Sequence, residues 1–92
     1  GAVLGQLERV LRQRKADMPE GSYTAQLLGG PADQLLKKIG EEATEVVMAA
    51  KDGAAEQLRW EAADLVYHLM VVMVREGVTM DDLAAELAGR RK

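Results

Sequence analysis

Two groups of carboxylates stand at spacings that a helix brings onto one side. Glu41, Glu42 and Glu45 form the first, and Glu61 and Asp64 the second. At roughly 100° per residue the first three share a side with Lys38, while Ile39, Ala43, Val46, Val47 and Ala50 fill the adjoining one. Like charges one turn apart repel, and only Lys38 and Lys37 relieve them, so this group alone also reads as a solvated face. Glu61 and Asp64 differ. Within about 60° of them lie Leu65, His68 and Val72, which puts the acids in line with residues suited to burial. A carboxylate in a dry site must be paired, bound to a cation, or protonated. Lys38, Lys51 and Arg59 are the available side-chain partners, and a divalent cation meets the charge more directly. Clustered carboxylate oxygens without thiolates or a clear histidine ligand select a hard ion, Mg²⁺ first and Mn²⁺ second.

Other chemistries find little support. The lone histidine, His68, is two turns from Glu61 and one from Asp64. It is placed to donate to a carboxylate or a phosphate, although a single histidine in an apolar helix is more often a hydrogen-bonded core residue. The chain has no Glu-x-x-His pair for a di-iron bundle, no P-loop, no GxGxxG and no Ser/His/Asp signature. It has no cysteine, which removes disulfides and thiolate metal sites and fits a cytoplasmic protein. Twelve basic against fifteen acidic residues give a net charge of −3, the wrong balance for a general nucleic-acid binder. The N-terminal residues lack the charged and apolar regions of a secretory signal. The longest apolar run, Leu65 to Val74, is broken by His68 and is far shorter than the roughly 20 residues of a membrane span.

The elements that must position these acids follow from breakers and periodicity. At 92 residues, with 48% hydrophobic and 29% charged side chains, the chain suits one packed domain over residues 1–92. Val3 to Lys15 carries apolar residues at helical spacing. Asp17 to Ser22 is a turn punctuated by Pro19 and Gly21, and Ser22 caps a short helix from Tyr23 to Leu28. After Gly29-Gly30, Pro31 or Asp33 opens a helix to about Lys51, which Asp52-Gly53 ends. A fourth helix runs from about Ala54 to Glu76, ended by Gly77. Thr79 caps the last helix, to about Ala88, with Asp81 and Asp82 in its first turn. Strand signals are absent, and the expected fold is an all-α bundle of four to five helices. The tight turn at Gly53 makes the third and fourth helices antiparallel neighbours and lets Glu45 face Glu61. Leu65 to Val74 is apolar nearly all round, and a helix without a polar face must be covered on all sides. A second copy of the subunit is the simplest cover, so a homodimer is expected.

The pattern Glu41-Glu42-Ala43-Thr44-Glu45 followed by Glu61-Ala62-Ala63-Asp64 resembles the EExxE…ExxD signature of the MazG-like all-α nucleoside triphosphate pyrophosphohydrolases. Within that superfamily the segments Lys37 to Val47, Ala49-Ala50-Lys51 and Glu61 to Leu69 are similar to the phosphoribosyl-ATP pyrophosphohydrolase family. Gly21 to Leu28 and Asp81-Asp82-Leu83 share that similarity, which covers nearly the whole chain; the first helix contributes least. The resemblance implies a homodimeric enzyme that uses Mg²⁺ to hydrolyse phosphoribosyl-ATP to phosphoribosyl-AMP and pyrophosphate, the second step of histidine biosynthesis. It implies Glu42, Glu45, Glu61 and Asp64 as metal ligands. Glu41 is then a supporting group, an additional ligand or the general base, and Glu42 and Glu45 are further candidates for the base. Lys37 and Lys38 are placed either to meet the triphosphate as point charges or to pair with the glutamates in solvent. His68 is a further candidate for substrate contact. A cyclohydrolase, fused to this activity in many organisms, is expected on a separate chain. The competing readings are a house-cleaning pyrophosphohydrolase acting on free dNTPs and a helical dimerisation module without catalysis.

Overall fold

Local signals set the helix ends. A computed structural model describes residues 2–90, which form α1 (Ala2–Asp17), α2 (Tyr23–Gly29), α3 (Ala32–Lys51), α4 (Ala55–Glu76) and α5 (Met80–Gly89). No strand occurs among the described residues. The Ser22 side chain accepts the Ala25 N–H at 3.1 Å and caps α2 as expected. Thr79 caps α5 in a reciprocal box. Its hydroxyl accepts the Asp82 N–H, and its own N–H donates to Asp82 Oδ2, both at 2.9 Å. Between α3 and α4 the chain turns through Gly53 at φ 66°, a left-handed conformation that glycine adopts without a steric cost.

α3 and α4 pack on each other more extensively than any other pair, and α1 and α2 close one side of them. The core joins Leu11 of α1, Leu27 and Leu28 of α2, Leu35 of α3, and Met70, Val71 and Val74 of α4. Burying each such side chain is worth about 1.5–3 kcal/mol, against about 1 kcal/mol for a helix cap, so packing decides how the helices sit. Two long side chains tie the bundle further. Lys15 Nζ donates to the Val74 and Arg75 carbonyls, both at 3.1 Å, in the last turn of α4, where helix carbonyls lack internal partners. Arg75 Nη1 donates to the Leu27 carbonyl at 2.8 Å and joins α4 to α2. α5 buries no residue fully and is anchored by Met80, whose N–H donates to Glu8 Oε2 at 2.7 Å.

The apolar run in α4 divides. Met70, Val71, Met73 and Val74 are buried within the chain, and Val72 packs partly against the core. Val66 and Leu69, on another side, remain 40% and 42% exposed. Leu36, Val47 and Met48 of α3 are exposed as well. No helix among the described residues is long and apolar enough to cross a membrane.

Candidate metal centre

The packing of α3 on α4 brings three carboxylates together. One oxygen each from Glu42, Glu45 and Glu61 lies within 4.8 Å of the others. Glu42 and Glu61 are only 8% and 7% exposed, whereas Glu45 is open to solvent. Gln57, one turn before Glu61 on α4, donates from Nε2 to Glu61 Oε1 at 2.6 Å. Glu42 Oε1 lies 4.0 Å from His68 Nδ1. The second oxygens, Glu42 Oε2 and Glu61 Oε2, are buried and have no hydrogen-bonding partner among the described residues.

The crowding is legible in the protonation of Glu61. Its carboxyl is held above the ordinary carboxylate range, first by a hydrogen bond with Glu45 and next by burial. The charges of Glu45 and Asp64 push the same way, and the Gln57 amide pulls against them. A hard cation relieves such crowding, and it also satisfies buried oxygens left unpaired among the described residues. The donor set is all oxygen and anionic, so it fits such an ion.

The other expected site residues lie around this group. Asp64 is half-buried on α4 and its carboxylate falls outside the trio, although Glu61 feels its charge. Glu41 is exposed and also outside it. Lys37 is exposed and Lys38 half-buried, and neither forms an ion pair with a glutamate among the described residues. His68 is 6% exposed, and its Nδ1–H donates to the Asp64 carbonyl at 2.8 Å. That leaves Nε2 to accept from the Tyr23 hydroxyl, 3.5 Å away. Tyr67 meets the His68 ring edge-on at 5.0 Å between centroids, and its hydroxyl hydrogen-bonds Thr24. Tyr23 and Thr24 of α2 thus meet Tyr67 and His68 of α4 in one contact, and His68 is the hydrogen-bonded core residue.

A cleft of about 350 Å³ opens beside the trio, lined by Glu45, Met48, Ala49, Asp52, Ala54, Gln57 and Glu61. Met48 and Gln57 carry no charge, so the acidic pattern of the sequence does not single them out. The signal for Gln57 was present: it stands four residues before Glu61 on the same helical stripe.

Known proteins resemble this chain over most of its length. A family model for phosphoribosyl-ATP pyrophosphohydrolase matches residues 4–91. The phosphoribosyl-ATP pyrophosphatase of Pelotomaculum thermopropionicum is 48% identical over 90 residues, covering 98% of this chain and 92% of that protein. The enzyme of the same name from Leptospira biflexa is 50% identical over 84 residues, covering 91% of each. The histidine biosynthesis bifunctional protein HisIE of Bacillus subtilis is 48% identical over 88 residues, which is 96% of this chain but only 42% of that protein. The chain therefore spans less than half of the bifunctional relatives it matches and nearly all of the shorter ones. By the match of almost its whole length, and by relatives near half identity, the chain belongs to the phosphoribosyl-ATP pyrophosphohydrolase family.

Proposed function

We propose that this chain hydrolyses phosphoribosyl-ATP to phosphoribosyl-AMP and pyrophosphate, the second step of histidine biosynthesis, in the cytoplasm and with Mg²⁺ as its cation, Mn²⁺ serving as a substitute. The observation that carries this reading is the pair of buried glutamate oxygens without hydrogen-bonding partners among the described residues, on carboxylates that converge with Glu45 at an open cleft. Glu42, Glu45 and Glu61 hold the cation, with Asp64 as a fourth carboxylate by family resemblance. When bound, the cation neutralises phosphate oxygens and makes a water more acidic.

The remaining work falls to the chain. A water oxygen forms the new bond to the α-phosphorus, the bond to the bridging oxygen breaks, and pyrophosphate leaves. One of Glu41, Glu42 and Glu45 takes the water's proton. Lys37 and Lys38, one turn before the acids, meet the polyphosphate as point charges. His68 holds α2 against α4 through Tyr23, so its part in substrate binding runs through that contact. The cyclohydrolase step expected next falls to residues outside these 92.

We also propose a homodimer joined through the exposed apolar faces of α3 and α4, where Leu36, Val47, Val66 and Leu69 are left uncovered. Sedimentation at micromolar concentration should give twice the 10.0 kDa chain mass. A compact 10 kDa species would refute the dimer.

Product analysis tests the reaction. Purified protein, Mg²⁺ and phosphoribosyl-ATP should yield phosphoribosyl-AMP and pyrophosphate, with the activity lost in EDTA. Orthophosphate as the sole inorganic product would refute the mechanism. Pyrophosphate from dNTPs but none from phosphoribosyl-ATP would keep the site and change the substrate.

A further inference from the structure

Gln57 sits where the cleft meets the acids. It is the one uncharged polar side chain among the cleft-lining residues, and its only hydrogen bond among the described residues runs to Glu61. That bond is short, at 2.6 Å, and it goes to one oxygen, Oε1. The other oxygen of the same carboxylate, Oε2, is buried and has no hydrogen-bonding partner among the described residues. A glutamate side chain has three rotatable bonds and would otherwise sample several orientations of its carboxylate. Gln57 stands one helical turn earlier, at the i,i+4 spacing at which an amide can reach it without distorting the helix.

We propose that Gln57 is a positioning residue for the cation: by binding Glu61 Oε1 it fixes the carboxylate plane and leaves Oε2 as the oxygen offered to the metal. This rests on the trio binding a divalent cation, as proposed above. Groups that orient a ligand from behind usually matter for affinity, because a ligand left free must be ordered when the ion arrives. Gln57 itself donates to a carboxylate and has no need to touch the ion. Glu42 has no such amide donor: its Oε1 is 4.0 Å from His68 Nδ1, which is engaged by the Asp64 carbonyl. Glu61 is therefore the member of the trio whose direction is set in advance.

The test is Gln57→Leu, which keeps a helix-favouring side chain of similar bulk and removes the donor. Gln57→Met is a second variant with the same property. The probe is Mn²⁺, titrated by electron paramagnetic resonance into the full chain without nucleotide, with helical content followed by circular dichroism. Both variants should stay folded and bind Mn²⁺ about 10- to 100-fold more weakly. Unchanged Mn²⁺ affinity in a folded variant would overturn the proposal. So would unchanged affinity with a raised KM for the nucleotide, since Gln57 would then act on substrate. Unfolding of both variants would overturn it too, by making Gln57 a packing residue. A wild-type chain that binds no Mn²⁺ would refute the cation site itself, whereas a wild-type chain that binds it as well as both variants do would refute only the role of Gln57.

Discussion

The same functional group meets opposite treatment at two places in this chain. Asp82, in the first turn of α5, accepts the Thr79 N–H, and its own N–H is taken by the Thr79 hydroxyl. The Thr79 N–H, and after it the Thr79 hydroxyl, hold the Asp82 carboxyl below the ordinary range, with desolvation opposing them and Arg12 assisting. Glu61, between α3 and α4, is held above that range by Glu45 and by burial. At α5 the helix terminus supplies donors where the charge sits. Between α3 and α4 the buried carboxylates converge, and Glu42 Oε2 and Glu61 Oε2 go without a hydrogen-bonding partner among the described residues. The cap gives its carboxylate donors from the fold, whereas the carboxylates between the helices are left short and fit the cation proposed above. The cost of the second arrangement is a stability term that only a cation or a proton can return.

Removing charge should separate the two regions most sharply. Glu45→Gln and Asp64→Asn should each lower Mg²⁺-dependent kcat/KM by on the order of 100-fold or more while the helical circular dichroism signal persists. Near wild-type turnover in both would rule out the carboxylate site. Asp82→Asn should leave turnover intact and lower the melting temperature, because the cap loses its charged acceptor.

Mg²⁺ comes next in size. At about 100 times its Kd it should stabilise the wild-type chain by about 2.7 kcal/mol. Glu45→Gln should lose most of that gain, and Asp82→Asn should keep all of it. Equal, salt-like responses in all three proteins would reduce the acids to a solvated surface.

The pH dependences should run in opposite directions. A raised pKa means that folded Glu61 holds protons the unfolded chain has released. Without metal its contribution is present below its ordinary value of 4.5 and is lost as pH rises through the folded value. Asp82 is the reverse: its contribution is present above 3.8 and is lost as pH falls toward its lowered folded value. Thermal melts in EDTA across the acid range should show each component vanish in Glu61→Gln and Asp82→Asn respectively. A Glu61→Gln chain that loses stability more steeply than wild type as pH rises would contradict the assignment. The smallest effect is expected for Thr79→Ala, which should cost about 1 kcal/mol of stability and leave Mn²⁺ affinity unchanged.

The legibility of these two regions in the sequence was unequal. Ser22 and Thr79 were readable as caps because a cap depends on residues within four positions of itself. The acids were readable as a cluster because helical periodicity places Glu61 in line with Leu65 and His68. Gln57 was overlooked because its role depends on which oxygen of Glu61 it engages, a matter of side-chain direction that spacing does not carry. The apolar run from Leu65 to Val74 looks uniform in the sequence, yet Met70, Val71, Met73 and Val74 are buried in their own chain while Val66 and Leu69 are not.

Glu41 and Glu42 show where local information ends. They are adjacent, identical in chemistry, and part of one acidic stripe. The sequence alone determined that both lie on α3, that they share a side with Glu45, and that a glycine turn would bring α4 back past them. Only the tertiary structure decided that Glu42 is buried beside His68 and Glu61 while Glu41 stays in solvent. The physical reason is that hydrogen bonding along a helix fixes the angles between its residues, about 100° apiece, but not the rotation of the whole helix against its neighbours. That rotation is set by packing Leu35 and Ala49 of α3 into the bundle, where apolar burial outweighs the preference of any single acid.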